Sequence, residues 1–231
     1  MSVQVMPETD VPVVTIDGPA GSGKGTIAVK LAQQLGYHYL GSGSLYRILA
    51  HYRLQHLSGT DDLQELLRHC ETLRIVFQPQ GDEGDVQVLV NEADVSDELR
   101  TEECGGEASR LAVRPEVREA LLKKQLSFRK APGLVAEGRD MGTVVFPDAP
   151  HKIYLTASAE ERAHRRQKQL RKQGISASLD RLLAEIKTRD TLDKQRPISP
   201  LRPAADAVRV DSTDLSILQV VERIAALVQQ G

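Results

Sequence analysis

Short apolar runs alternate with amphipathic stretches along most of the chain. The β-branched run Val11–Asp17 leads into a glycine-rich turn and predicts a buried strand. Apolar residues then recur at helical spacing over Thr26–Leu35, which predicts a helix that ends at Gly36. Further strands are predicted at Leu134–Ala136, Lys152–Leu155 and Ala207–Val210. Further helices are predicted over Ser44–Leu54, Thr60–Cys70, Arg114–Lys130, Glu160–Lys172, Leu179–Asp193 and Leu215–Gln229.

This alternation of strands and helices indicates a parallel sheet covered on both faces, which is a three-layer α/β fold. Residues 72–100 differ from the rest, because the alternating runs Leu73–Phe77 and Val86–Val90 flank the turn GDEGD and predict a hairpin. Ten acidic residues lie between Asp82 and Glu107, against the single arginine Arg100. We therefore predict a small, acidic, mostly antiparallel insertion whose charges are largely solvated.

Composition excludes several classes of protein. The chain has 231 residues and a formal net charge of −2, with 40% hydrophobic and 27% charged residues, as expected for one globular unit. The near-neutral charge argues against a protein that coats nucleic acid, and no apolar run reaches the length of a membrane span. Two cysteines without a C-x-x-C pair and an N-terminus without a secretion signal predict a cytoplasmic protein with reduced thiols.

A glycine-rich stretch joins the first predicted strand to the first predicted helix. Its sequence GPAGSGKGT fits the pattern G-x-x-x-x-G-K in the strand–loop–helix context that a phosphate-binding loop requires. Backbone amides and the helix N-terminus would surround a phosphate there, and a lysine would add a full charge. The residues are Gly18, Pro19, Ala20, Gly21, Ser22, Gly23, Lys24, Gly25 and Thr26. Since Gly25 follows the lysine, the hydroxyl that could bind Mg²⁺, directly or through water, is that of Thr26.

Three later segments carry residues suited to a second, acceptor phosphate. The segment SGSLYR, residues 42–47, places small residues and Arg47 at a predicted helix start. Arg139 and Asp140 follow a predicted strand, where the ligand crevice of an open α/β sheet lies. Arg189, Asp193 and Arg196 share one face if the segment is helical, although an ordinary exposed ion pair is the alternative for an isolated helix.

Taken together, these segments resemble the bacterial cytidylate kinases. The resemblance rests on IDGPAGSGKGT, SGSLYR, EGRDMGTVVFPDAPHKIYLTAS and the run R-D-x-x-D-x-x-R, and it extends in order from about Val13 to Leu227. It implies transfer of the γ-phosphate of ATP to CMP or dCMP, with Mg²⁺, in pyrimidine nucleotide metabolism. No nucleic acid, membrane or second subunit is implied, so we expect a monomer.

The resemblance also implies roles for individual residues. The stretch 18–26 would hold ATP, and Lys24, Arg139, Arg189 and Arg196 would act in catalysis. The acceptor residues would be Ser42, Tyr46, Arg47, Ser109, Arg118, Arg139, Asp140, Arg189, Asp193 and Arg196, with Ser109, Arg118 and Asp140 reading the cytosine edge. Arg162 and Arg166 would offer charge to ATP from a helical lid.

The same resemblance divides the chain into regions. The core would comprise residues 11–40, 105–157 and 197–231, and the acceptor-binding region residues 41–104. The lid would comprise residues 158–178, and residues 179–196 would form a helix that returns from the lid to the site.

Two positions depart from the family pattern. Gly41 stands where many relatives have an acidic residue, and Glu137 stands where aspartate is common. If the missing acid matters, Gly41→Asp should not reduce activity. A P-loop kinase of another small acceptor and an ATP-binding module that contacts nucleic acid through the basic segment 162–172 remain the alternatives. A regulatory GTPase is disfavoured, because the chain lacks N-K-x-D.

Overall fold

A computed structural model describes residues 11–229, apart from residues 58, 60, 61, 82 and 173. Its main sheet has five parallel strands in the order β2-β6-β1-β7-β8, which confirms the predicted α/β class. These strands are β1 (Val13–Asp17), β2 (His38–Gly41), β6 (Leu134–Gly138), β7 (His151–Thr156) and β8 (Val208–Asp211). Strand β1 is buried along its whole length, as expected for the centre of a sheet with helices on both faces.

Nine helices and a short π-helical turn are found among the described residues. The helices are α1 (Lys24–Leu35), α2 (Ser42–His56), α3 (Leu63–Thr72), α4 (Ser96–Leu99), α5 (Glu102–Leu111), α6 (Pro115–Leu126), α7 (Ala159–Lys172), α8 (Leu179–Gln195) and α9 (Ile217–Gln229). The π-helical turn covers Met141–Val145, directly after β6. Helices α1 and α9 pack on each other and bury apolar faces against the sheet. No helix among the described residues is long and apolar enough to cross a membrane.

The acidic insertion is present as a separate three-stranded antiparallel sheet. Its strands β3 (Ile75–Gln80) and β4 (Asp85–Val90) form the predicted hairpin, and the two-residue β5 (Ala93–Asp94) is an additional strand. This small sheet packs on the core through Phe77, whose ring meets Tyr39 edge-on at a centroid distance of 5.6 Å. Asp82, in the predicted turn, lies outside the described residues.

One predicted helix end is wrong, because α6 stops at Leu126 and does not reach Lys130. Helix α3 begins at Leu63, and Asp62 is its N-cap, with the carboxylate accepting a hydrogen bond from the Glu65 amide at 2.9 Å. The predicted start of that helix at Thr60 lies outside the described residues. Ser158 caps α7, since its hydroxyl accepts a hydrogen bond from the Glu161 amide at 3.1 Å. Ser178 occupies the corresponding position before α8 but makes no side-chain cap.

The face shared by Arg189, Asp193 and Arg196 is also corrected. Helix α8 ends at Gln195, and Arg196 has extended backbone geometry with φ −58° and ψ 139°. Its side chain reaches the site because the chain turns away from the helix there, and not through helical spacing. The return of the chain is fixed by the Leu201 amide, which donates to the Asp193 carbonyl at 2.8 Å.

Candidate active site

The phosphate loop, residues 18–23, connects the end of β1 with the start of α1. Gly21 and Gly23 have positive φ angles of 77° and 87°, which turn the loop back over the helix N-terminus. The Lys24 ammonium donates to the Pro19 carbonyl at 3.2 Å and lies 3.9 Å from the Glu137 carboxylate at the end of β6. Burial lowers the pKa of Lys24, although Glu137 partly offsets this effect. The loop has the backbone curvature and the cation that bind phosphate.

Helices α7 and α8 pack together, and two arginines of α7 touch the phosphate loop. Arg162 is 3% exposed, makes a two-point ion pair with Asp190 at 2.8 and 2.5 Å, and donates to the Ala20 carbonyl at 3.1 Å. Arg165 donates to the Ser22 carbonyl at 3.1 Å and to the Ser212 carbonyl at 2.6 Å. Helix α7 therefore satisfies the carbonyls of Ala20 and Ser22 in the phosphate loop.

Arg162 and Arg166 were expected to offer free charge to ATP, and the structure gives them other partners. Arg162 is fully engaged by Asp190, so here it supports the phosphate loop. Arg166 forms an ion pair with Glu102 at the start of α5, and both border a cavity between the lid and the acceptor-binding region. Because Glu102 is exposed, the guanidinium of Arg166 can exchange it for a phosphate at little cost.

A second cavity, of about 490 Å³, lies beside the carboxyl end of β6, and we call it the acceptor cavity. All ten predicted acceptor residues line it, although they come from six separate parts of the chain. They are Ser42, Tyr46, Arg47, Ser109, Arg118, Arg139, Asp140, Arg189, Asp193 and Arg196. The prediction that these residues share a site is thus supported by their placement.

One end of the acceptor cavity contains a buried ion pair between Arg118 and Asp140. The Arg118 guanidinium also donates to the Ser199 hydroxyl at 2.6 Å and to the Tyr46 hydroxyl at 3.3 Å. Burial raises the pKa of Tyr46 to about 12, so this hydroxyl stays protonated. Ser109 lies nearby and donates to the Gly105 carbonyl of its own helix at 3.0 Å. This end can offer both a carboxylate acceptor and several donors to a planar ligand.

The other end of the acceptor cavity gathers positive charge around Arg139 and Arg189. Arg196 lies between the two ends, because it donates to the carbonyl of Ser199, whose hydroxyl accepts from Arg118. Arg139 donates to the Asp193 carboxylate at 2.7 Å. Burial lowers the pKa of both Arg189 and Arg196, and neighbouring Arg139 lowers each further. One terminal nitrogen of Arg196, Nη2, is buried and has no hydrogen-bond partner among the described residues. Crowded guanidinium groups with an unmatched donor are the arrangement that an anionic ligand would relieve.

A family model described as Cytidylate kinase matches residues 14–230 of the chain. The cytidylate kinase of Edwardsiella ictaluri is 52% identical over 220 residues, which cover 95% of this chain and 97% of that protein. Those of Salmonella choleraesuis and Serratia proteamaculans are also 52% identical, over 222 and 215 residues. The Salmonella alignment covers 95% of this chain and 96% of that protein, and the Serratia alignment covers 92% of both.

The chain belongs to the cytidylate kinase family.

The space next to Gly41, where many relatives have an acidic residue, is occupied by the side chain of Tyr39. A Cβ added to Gly41 would lie 2.7 Å from the hydroxyl of Tyr39, which is shorter than real contacts of this kind. The Tyr39 ring is buried, and hydrogen bonding to Glu137 together with burial raises the pKa of its hydroxyl. The expectation that Gly41→Asp leaves activity unreduced is therefore not supported by the geometry, because the tyrosine already fills that space.

Sequence reasoning missed several residues that organise this cytidylate kinase site. Asp190 and Arg165 were passed over, although both lie in segments already singled out for their charge. Ser199 was missed because it joins Arg118 from a distant loop without regular structure. Asp17, at the end of β1, accepts two backbone amides from the turn after Asp140, and only its position before the phosphate loop could have drawn attention to it.

Proposed function

We propose that this chain transfers the γ-phosphate of ATP to CMP or dCMP, giving ADP and CDP or dCDP. The observation that carries the proposal is the acceptor cavity itself. One of its ends presents the Arg118–Asp140 pair, the other presents Arg139 and Arg189, and Arg196 lies between them. A nucleoside monophosphate has a hydrogen-bonding base at one end and a dianion at the other, so the two ends match it in chemistry.

Cytosine is the base that best matches the hydrogen-bonding groups at the end with Arg118 and Asp140, which we call the base end. A carboxylate at Asp140 would accept from the exocyclic amino group, while Arg118 and Ser109 would donate to the carbonyl oxygen O2 and the ring nitrogen N3. Uracil presents a carbonyl where cytosine has its amino group, and this carbonyl would face the same carboxylate. Sites built from buried hydrogen-bonding groups reject such analogues strongly. We therefore infer a preference for CMP over UMP.

The donor side would use the phosphate loop and Lys24. Phosphoryl transfer needs in-line alignment and compensation of negative charge more than a covalent participant. Lys24 would bind the β- and γ-phosphates, and Arg139, Arg189 and Arg196 would bridge the acceptor and the transferred group. Ser42, Tyr46 and Arg47 would orient the acceptor monophosphate, and Asp193 would hold the ribose together with Arg189. Arg166 would complete the ATP site from the lid, and Arg162, held by Asp190, would act on ATP indirectly by supporting the phosphate loop.

The donor set suits Mg²⁺ that arrives with the nucleotide. Among the described residues, no group of three or more His, Cys, Asp or Glu side chains could hold a metal ion. Mg²⁺ commonly uses one or two protein oxygens together with substrate phosphates, and the Thr26 hydroxyl at the start of α1 could serve, directly or through water. When bound, Mg²⁺ would neutralise charge on the β- and γ-phosphates.

The division of labour along the chain is part of this proposal. Residues 41–104 would form the acceptor-binding region, and residues 158–178 the lid, with 179–196 returning to the site. The core would be residues 11–40, 105–157 and 197–231. Closure of the lid over both nucleotides would exclude water that could otherwise accept the phosphate.

A coupled assay of ADP release with CMP, dCMP, UMP and AMP tests the proposed function. We expect turnover with CMP or dCMP and much weaker turnover with UMP and AMP. Lys24→Ala should lower kcat by at least about 10²-fold, because it removes the ammonium that would stabilise the transferred phosphate, and circular dichroism would show that the variant is folded. Absence of CMP turnover by the folded wild-type protein would refute the proposal.

A further inference from the structure

The turn that carries Arg139 and Asp140 into the acceptor cavity is capped from another strand. Aspartate at a helix N-cap normally accepts hydrogen bonds from the first backbone amides. Asp140 occupies this position before the π-helical turn, yet it makes no such bond, and its carboxylate pairs with Arg118 instead. The two open amides are taken by Asp17, whose Oδ1 accepts from Met141 and Oδ2 from Gly142, both at 2.8 Å.

Asp17 lies where the two halves of the site meet. It is the last residue of β1, it is 3% exposed, and the next residue, Gly18, begins the phosphate loop. In the sheet it is in register with Gly138, the residue before Arg139. One buried carboxylate thus connects the start of the phosphate loop to the turn that presents the acceptor-binding residues.

We propose that Asp17 is a positioning residue for acceptor recognition: it caps the turn in place of Asp140 and so leaves the Asp140 carboxylate available to Arg118 and the nucleobase. The inference rests on the proposed function, because it concerns how the base end of that same cavity is kept in order. Without Asp17, the amides of Met141 and Gly142 would lack these acceptors, and the carboxylate of Asp140, at the N-cap position directly before them, would compete to supply one.

The ionisation of Asp17 gives the proposal a second readout. Burial raises the pKa of Asp17 to about 7, while the amides of Gly142 and Met141 lower it, Asp140 raises it and Lys24 lowers it. On the other neighbouring strand, Tyr154 faces the same carboxylate. The ionised form has two accepting oxygens, and protonation converts one of them into a donor. Below about pH 7 one amide therefore faces a hydroxyl oxygen, which accepts more weakly than a carboxylate oxygen.

The test compares Asp17→Asn with the control Thr15→Val. Thr15 lies on the same strand, is fully buried, and its hydroxyl has no hydrogen-bond partner among the described residues, so its loss leaves the cap intact. For each protein, kcat/KM is measured with CMP and with UMP at about pH 8, where Asp17 is ionised. The ratio of the two values cancels ATP binding, lid closure and phosphate ionisation, which both substrates share.

We expect the CMP/UMP ratio to fall about 10-fold in Asp17→Asn, the size of losing one side-chain cap, and to stay unchanged in Thr15→Val. In the wild type the ratio should fall as the pH is lowered from about 8 to about 6, and in Asp17→Asn it should stay flat. A folded Asp17→Asn with the wild-type ratio overturns the proposal.

If Asp17→Asn does not fold, a second measurement tests the proposal. The wild-type ratio over the same pH range then serves alone: a fall towards acid supports the proposal, and a constant ratio overturns it. Failure of the proposed function would look different, because wild-type protein would then show no CMP turnover at any pH.

Discussion

Asp140→Asn gives the sharpest test of how the base is read. The substitution keeps the shape of the side chain but replaces one carboxylate oxygen by an NH₂ group. A hydrogen bond from the cytosine amino group to a buried carboxylate contributes about 1.5–3 kcal/mol. Its loss corresponds to a fall of about 10- to 150-fold in kcat/KM for CMP. UMP should gain at the same time, because the new amide can donate to the uracil carbonyl that the carboxylate repels.

The structure also limits how much stability the change removes. Breaking a buried ion pair commonly costs about 3–5 kcal/mol when one charge is left without a partner. Here Arg118 keeps the hydroxyls of Ser199 at 2.6 Å and Tyr46 at 3.3 Å, and the new amide oxygen still accepts. We therefore expect a loss of about 1–3 kcal/mol in the free energy of unfolding, the usual cost of a lost hydrogen bond to a charged group.

The assay measures kcat/KM for CMP and UMP in the wild type, Asp140→Asn and a matched control, Asp193→Asn. The control makes the same chemical change at the other end of the acceptor cavity, where the carboxylate holds Arg139 at 2.7 Å. Asp193→Asn should lower both values by a similar factor and leave their ratio intact. If Asp140→Asn binds CMP and still prefers it over UMP as strongly as the wild type does, the assignment of the base end is wrong.

Three further changes test neighbouring contacts. Gly41→Asp should lower both kcat and the melting temperature. Adding Tyr39→Phe to this variant should restore part of the loss, because it removes the hydroxyl that lies 2.7 Å from the new Cβ. Full activity of the Gly41→Asp variant alone would contradict the packing argument. Arg165→Ala should raise KM for ATP more than KM for CMP, while the exposed Arg171→Ala on the same helix should change neither. Asp190→Asn weakens the ion pair with Arg162 of α7 and should cost about 1–3 kcal/mol in urea denaturation, because the new amide oxygen still accepts and Arg162 keeps two backbone carbonyls. An unchanged midpoint would contradict this.

The parts of this fold that sequence could predict are those with local causes. The strand Val13–Asp17, the glycine loop and the helix after it follow one another without a gap, so pattern and chemistry agree over a short range. The same holds for Arg139 and Asp140, because residues after a central parallel strand necessarily reach the crevice. The resemblance to a family supplied the remaining acceptor residues, which scattered positions alone could not have grouped.

Contacts between distant residues lay beyond that reasoning. Asp17 and Met141 are separated by 124 positions, and their hydrogen bond depends on which strands become neighbours in the sheet. Arg196 illustrates a different failure, since helical spacing predicted its direction correctly for the wrong reason. Its side chain enters the acceptor cavity from extended backbone after α8 has ended. Periodicity describes the interior of an element and says little about the residue that leaves it.

The pairing of charges in the site explains how so many cations can coexist before a substrate binds. Arg118, Arg139 and Arg162 each have a carboxylate partner, and Arg47 donates to the Leu99 carbonyl at 2.5 Å. When a nucleotide binds, the arginines that contact it therefore exchange their present partners for groups of the nucleotide. Net affinity from such exchanges is modest, because each guanidinium gives up a good hydrogen bond to gain one. Selectivity then depends on which partners are held rigidly, and the buried carboxylates are the ones that cannot move aside.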